Sequence, residues 1–321
     1  MFSVYISKNF PPIGSQLLQE AGIQVEQWPH DRPMTQDELI RAVQNHQGLF
    51  CAGTDLINDF FLKSCSHLKI IAQFAVGYDN IDVATARDLG IVITNTPDAM
   101  SDATADIAFA LMLAVSRKLF YLHKSIGRGD WTYFRPQAHL GMELKGKTLG
   151  IFGLGTIGLE MAKRCHAAYH MPVLYTNRNP NPLAEATVGA HHVSFDELLT
   201  RSDVLSVHCA LTPETAGLFN HAVFSKMKST ALFINTSRGG VHHEGDLLDA
   251  LQKGTIWGAG LDVTNPEPMT ADHPLLEMEN VAVLPHIGSA TIEARNRMAG
   301  MAARNIIAFV RGEPVPNPVI G

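Results

Sequence analysis

Short apolar runs recur along the chain, separated by polar or glycine-containing turns and by helical stretches. Residues 2–6, 24–27, 48–51, 69–74 and 91–94 read as strands, with helices at 14–21 and 35–45 between them. This alternation is the signature of βαβ units, whose buried parallel strands are continuous apolar runs. Residues 98–117 are rich in Ala, Leu and Met and predict one long buried helix with Ser101 or Asp102 near its N-cap. Residues 127–146 mix Gly, Pro, Trp and Tyr without a period, which predicts a loop that packs on something. From Lys147 a second series begins, with strands at 148–152, 173–176, 203–209, 231–235, 258–263 and 281–284. Its helices are expected at 154–166, 195–199, 221–227 and 244–253, the last closed by Gly254, and a final helix at 292–310 precedes a Pro-containing tail.

Length and composition sharpen that plan. A chain of 321 residues exceeds one small core, and 46% hydrophobic with 17% charged residues excludes disorder, so two doubly wound α/β domains are expected. The formal charge of -6, with no Lys/Arg run, argues against nucleic acid or an anionic membrane as partner. No apolar stretch reaches the roughly 18 residues of a bilayer span, and no signal segment opens the chain, so a cytoplasmic protein is expected. Cys51, Cys65, Cys165 and Cys209 show no metal or redox spacing and read as buried or free thiols. His191-His192 and His242-His243 read as solvated loop residues rather than metal ligands.

Candidate chemistry starts at Gly153-Leu-Gly-Thr-Ile-Gly158, a glycine triplet that follows a strand and opens a helix. Gly153 permits the tight turn, Gly155 admits a pyrophosphate to backbone N–H groups, and Gly158 lets helix and strand pack closely, which predicts dinucleotide binding with Thr156 and Ile157 at the helix start. At the end of the next strand an NAD-specific site would carry Asp or Glu for the ribose 2′-hydroxyl. Here stand Asn177 and Arg178, so NADP(H) is favoured over NAD(H), the guanidinium gripping a 2′-phosphate. The same Arg178 could instead stack on adenine or simply be solvated.

Arg238, Glu267 and His286 each sit just past a predicted strand end of the second series, where an open α/β sheet places its ligands. Arg238 offers a fork for a carboxylate or carbonyl oxygen. Hydride arrival at a carbonyl carbon leaves charge on oxygen, and His286 titrates in the range to deliver the proton. Glu267 beside it would stabilise the imidazolium and set its tautomer.

The chain resembles the D-isomer-specific 2-hydroxyacid dehydrogenases over nearly its full length. The matching pieces include residues 75–82, Asn95-Thr-Pro97, Ala103-Thr-Ala-Asp106, the glycine turn, residues 234–239, Gly260-Leu-Asp-Val263, Glu267-Pro268 and residues 285–289. Within that family it looks most like the glyoxylate/hydroxypyruvate reductase branch. The resemblance implies a Rossmann cofactor domain at 100–290 and a discontinuous flavodoxin-like substrate domain at 1–99 plus 291–321. It implies Arg238, Glu267 and His286 as catalytic trio, backbone N–H groups of Val76 and Gly77 on the substrate carboxylate, and Asp262 against the nicotinamide carboxamide. Thr104, Cys209 and Thr236 would line the cofactor cleft, and the helix around 102–115 would form a homodimer interface. Two features depart from family patterns: the acidic ribose residue is missing, and Trp131 is followed by Arg135-Pro136-Gln137-Ala138 where some hydroxypyruvate reductases carry a Trp-rich loop. Phe74 would form an apolar wall suited to a compact acid such as glyoxylate, or belong to the core. Other substrates of the family's range (2-ketogluconate, D-lactate, phosphite) and a cofactor-sensing binding protein are the alternatives.

Overall fold

The computed structural model describes residues 1–320 and falls into two compact units, residues 1–100 with 289 onward, and residues 101–288. The first holds a five-stranded, all-parallel sheet in the order β2-β1-β3-β4-β5. Its strands are β1 (Ser3–Ile6), β2 (Gln24–Gln27), β3 (Gly48–Cys51), β4 (Ile70–Gln73) and β5 (Val92–Thr94). β1, β3 and β4 are buried at every position, which is why they read as unbroken apolar runs, whereas the edge strand β2 alternates. One face of the sheet, with Val4, Ile6, Phe50, Ile70 and Ala72, packs against Ala299, Ala302, Ala303 and Ile306 of the terminal helix Ile292–Val310. That helix is capped by Thr291, and Asn305 Nδ2 donates to the Asn95 carbonyl at 3.1 Å.

The helices Asp59–Ser64 and Val83–Asp88 were not expected from the pattern. Each is too short to show a period, yet each carries a side-chain N-cap, Asn58 and Asp82.

In the second unit β6 (Leu149–Phe152), β7 (Val173–Thr176), β8 (His191–His192), β9 (Val204–Val207), β10 (Leu232–Asn235), β11 (Gly258–Leu261) and β12 (Val281–Val283) form a parallel sheet. Its order is β12-β11-β10-β9-β6-β7-β8. Strand order reverses between β6 and β9, so the crevice at the C-terminal ends of these two strands is the place an open α/β sheet offers a ligand. Both units are therefore doubly wound parallel α/β, as the sequence pattern predicts.

Several expectations are corrected. His191 and His192 are exposed but form the edge strand β8 on Leu174 and Tyr175 rather than a loop. His242 is buried, at 1% exposure, while His243 stays solvated and caps the helix Glu244–Gln252. The helix after the glycine turn starts at Thr156 rather than 154 and runs on to Tyr169, where His170 takes the left-handed conformation. Helices Leu119–Gly127 and Pro182–Val188 are additional. The expected loop at 127–146 packs at its C-terminal end, where Leu144 is buried in the core of this unit and Met142 lies against it, whereas Trp131, Tyr133, Phe134 and Leu140 are 74%, 67%, 83% and 66% exposed.

Candidate functional site

Each glycine of the turn after β6 meets a different condition. Gly153 has φ +92°, and a Cβ there would lie 2.6 Å from the Cys209 backbone nitrogen, so no other residue fits without moving β9's end. Gly155 faces open space, and Gly158 packs against Gly153 O and Ile151, bringing helix onto strand. Many helices of this chain have their first N–H groups capped by a side chain, but Thr156–Tyr169 begins from Gly155 with no side-chain cap. Its first-turn N–H groups, those of Thr156, Ile157 and Gly158, lack intrahelical acceptors, and the open space at Gly155 leaves them accessible to an anion. This donor set fits the pyrophosphate of a dinucleotide.

At the end of β7 the two residues separate in role. Asn177 is committed to the turn: its Oδ1 accepts from Leu154 N at 2.6 Å and its Nδ2 donates to Leu154 O at 3.1 Å. It braces the glycine loop. Arg178 is exposed, and its charge acts on the Glu214 carboxyl, which a Thr212 hydrogen bond first and Arg178 in part hold below the ordinary value.

The ends of β9 to β12 carry the polar constellation. His286 Nδ1 and Glu267 Oε1 are 2.6 Å apart. Burial pushes the Glu267 carboxyl up, but its hydrogen bond to His286 and the neighbouring positive charges, Arg238 among them, outweigh this and leave it below the ordinary value. An ionised Glu267 accepts from Nδ1–H, so His286 keeps Nε2 for a substrate. Arg238 is half-buried and Nη1 donates to the Ser237 carbonyl at 2.9 Å.

His286 itself has φ +53°, a left-handed backbone that is uncommon for a residue with a Cβ. The two residues after it are held by Asp262. Its two oxygens accept from Ile287 N at 2.8 Å and Gly288 N at 2.7 Å, while Thr104 Oγ1 donates to Gly288 O at 3.2 Å. Burial raises the Asp262 carboxyl above its ordinary value even though these N–H groups pull it down. Asp262 and Thr104 thus shape the loop that presents His286.

Sequence reasoning missed His208, which an expected strand at 203–209 had hidden. It follows β9, with Nε2 2.8 Å from Ser206 Oγ and Nδ1 3.4 Å from Thr236 Oγ1. Burial pushes its imidazole down to about 4, so it stands uncharged beside Cys209 and Thr236. Its only sequence signal is its place directly after an apolar strand.

In the first unit Phe74 stacks on Phe10 at 4.6 Å between ring centroids and is only half-buried, so it belongs partly to the core and partly to the surface. The loop after it is held by its carbonyls: Asn95 Nδ2 donates to Val76 O at 2.8 Å and Gln73 Nε2 to Gly77 O at 3.2 Å. Among the described residues the N–H groups of Val76 and Gly77 donate to nothing, a pair of adjacent donors that suits a carboxylate. No group of His, Cys, Asp and Glu among the described residues could hold a metal ion, and no helix is long and apolar enough to cross a membrane.

Residues 109–288 match the family described as D-isomer specific 2-hydroxyacid dehydrogenase, NAD binding domain. The chain is 41% identical over 319 residues to the human glyoxylate reductase/hydroxypyruvate reductase, covering 99% of this chain and 97% of that one. It is 42% identical over 320 residues to the glyoxylate reductase of Thermococcus litoralis, covering 98% and 96%. Among solved structures, an NADPH-dependent glyoxylate/hydroxypyruvate reductase from Sinorhizobium meliloti, in complex with NADP and malonate, superposes with a TM-score of 0.84 at 30% identity, covering 99% of this chain and 96% of the other. A nicotinamide-dependent oxidoreductase, the chain belongs to the D-isomer-specific 2-hydroxyacid dehydrogenase family, within the branch of those reductases.

Proposed function

We propose that the protein is an NADPH-preferring reductase that converts a small 2-oxo acid, glyoxylate or hydroxypyruvate, into the D-2-hydroxy acid. The observation that carries this reading is the 2.6 Å His286–Glu267 pair, set with Arg238 at the C-terminal ends of the same sheet whose glycine turn opens a dinucleotide site. A nicotinamide dinucleotide held there supplies a hydride to the substrate's carbonyl carbon. Arg238 clamps a carboxylate or carbonyl oxygen and draws off its growing negative charge. His286 gives the proton on Nε2 to that oxygen, and Glu267 steadies the ring through Nδ1. The Val76 and Gly77 N–H groups hold the substrate carboxylate, and Phe74 limits the side chain. Asp262, Thr104, Cys209 and Thr236 are assigned to the nicotinamide side, Thr156 to Gly158 to the pyrophosphate.

The reaction is tested by following reduced-nicotinamide absorbance with glyoxylate, hydroxypyruvate, pyruvate and 2-ketogluconate. Oxidation of NADPH by either of the first two is expected; no loss with any acid would turn the reading toward a cofactor-sensing binding protein. The preference for NADPH rests on Arg178, exposed at the end of β7, where an NAD-specific site would carry an Asp or Glu for the ribose. Arg178→Asp removes a charge-assisted contact worth about 1.5–3 kcal/mol, so NADPH affinity should fall roughly 10- to 100-fold while NADH binding is kept. Equal change for both cofactors would remove Arg178 from this role.

The same reading extends to assembly. Leu119, Phe120 and Ile126 are exposed on the helix before the 128–140 loop, as are Trp131, Tyr133, Phe134 and Leu140 within the loop, so this segment concentrates large apolar side chains in solvent. The expected helix Ser101–Ser116 is by contrast mostly buried in its own unit. A homodimer through the helix Leu119–Gly127 and its following loop would cover those exposed side chains, and light scattering should return about twice the chain's 35.0 kDa. A monomer at micromolar concentration would refute it.

A further inference from the structure

His242 was expected to be solvated and is instead enclosed, with its side chain at 0% exposure and its ring edge-on to Phe233 at 5.9 Å. Its hydrogen bonds determine its form. Asn235, at the end of β10, must turn its Oδ1 toward Ser237, because the Ser237 backbone N–H at 2.9 Å can only donate; the Ser237 hydroxyl lies at 2.9 Å from the same oxygen. Asn235 Nδ2 therefore donates, to the Arg238 carbonyl at 3.0 Å and to His242 Nδ1 at 3.1 Å. Nδ1 is thus an acceptor, and the proton sits on Nε2, which donates to Glu244 Oε2 at 2.8 Å. The same Glu244 oxygen accepts from Asn265 N at 3.3 Å, two positions before Glu267. His273 Nε2 stands 4.0 Å from the other Glu244 oxygen.

We propose that His242, as a neutral Nε2–H imidazole, is a positioning residue that ties the Arg238 turn after β10 to the 265–267 segment after β11. The relay runs from the Arg238 carbonyl through Asn235, His242 and Glu244 to the Asn265 N–H. Backbone packing makes the same join tight: a Cβ on Gly239 would fall inside the Thr264 carbonyl. Through the relay the arm that grips substrate and the carboxylate that orients His286 keep one spacing. Adding a proton to Nδ1 would set N–H against the Asn235 amide N–H, so the relay works only with the uncharged ring. This inference rests on the roles given above to Arg238 and Glu267.

The test is a set of variants read by steady-state kinetics and cofactor titration. His242→Leu keeps the bulk and removes both bonds; kcat/KM should fall roughly 10- to 100-fold, since small displacements of catalytic groups have effects of this size. The loss should divide between lower kcat and higher KM, with NADPH affinity within about twofold of the parent, because the glycine turn lies on β6 and takes no part in the relay. His242→Gln, whose side-chain N–H reaches toward Glu244 as Nε2–H does, should recover most of the activity. In a Glu267→Gln background the effect of His242→Leu should shrink, as expected of residues that act through one another. Parental kcat/KM in His242→Leu overturns the inference, as does a Gln variant no better than Leu or full additivity with Glu267→Gln. Should the Leu variant fail to fold, Glu244→Ala removes the acceptor shared by His242 and Asn265 and must show the same kinetic loss; unchanged kinetics overturns the proposal. If Glu267→Gln and Arg238→Lys are themselves silent, the reading of the site fails; if they are damaging and His242→Leu is silent, only this inference falls.

Discussion

Replacing His286 by alanine is expected to lower turnover by roughly 10²–10⁴-fold, the usual range for losing a positioned general acid, while NADPH still binds. The argument is geometric. The ring is oriented by a 2.6 Å bond to Glu267, and the two residues after it are held by N–H groups that donate to Asp262. That apparatus places one imidazole nitrogen, and alanine leaves nothing in its place that can donate a proton. Cofactor affinity should survive, because the pyrophosphate donors belong to the helix Thr156–Tyr169. Turnover and cofactor titration on the same preparation decide the matter: joint loss would make His286 a structural residue. The partner sets a pH sign as well. Glu267 lies below its ordinary value in the folded protein, so its ionised form, and the stability that the pair contributes, are present above the unfolded value and lost as pH falls through the folded one. Activity that depends on an oriented His286 should therefore persist into mildly acid solution as far as Glu267 is concerned.

Arg238→Lys should lower kcat/KM by about 10²–10³-fold, comparable with removing one preorganised donor from a site where negative charge develops. The guanidinium is half-buried and partly anchored by its bond to the Ser237 carbonyl, so its planar fork is held before substrate arrives. Lysine retains the charge but presents a compact ammonium on a flexible stem and cannot form two parallel bonds to a carboxylate. Because the turn is braced from behind by Asn235, the substitution should leave the backbone in place, and thermal stability close to the parent is the control. Near-normal kcat/KM would remove Arg238 from substrate binding.

The parts legible in advance are those whose cause is local. Strands 24–27, 48–51 and 173–176 have the same bounds in pattern and structure, and for the last of them the cause is plain in its neighbours, Pro172 and Asn177, which end a strand on either side. The glycine turn was readable because each glycine answers a backbone condition that the neighbouring residues already imply. The short helices after Asn58 and Asp82 left only their caps as signals, and the two-residue strand β8 left none, because its existence depends on Tyr175 lying beside it. His208 was absorbed into the strand expected at 203–209, which in the structure ends one residue before it, and His242 went unread because burial of a histidine depends on what packs over it, while a pair of adjacent histidines looks solvated in any linear pattern.

By itself the sequence determined two parallel α/β sheets, a dinucleotide turn, and an Arg, a Glu and a His each just beyond a strand end, because periodicity, glycine placement and strand boundaries are properties of neighbouring residues. Only the tertiary structure decided that His286 meets Glu267 across 19 residues of chain, that Asn177 braces the glycine loop, and that His242 is buried between Asn235 and Glu244. Those contacts follow from the order in which β9, β10, β11 and β12 lie side by side, and that order is settled by the packing of whole strands and helices rather than by any local pattern.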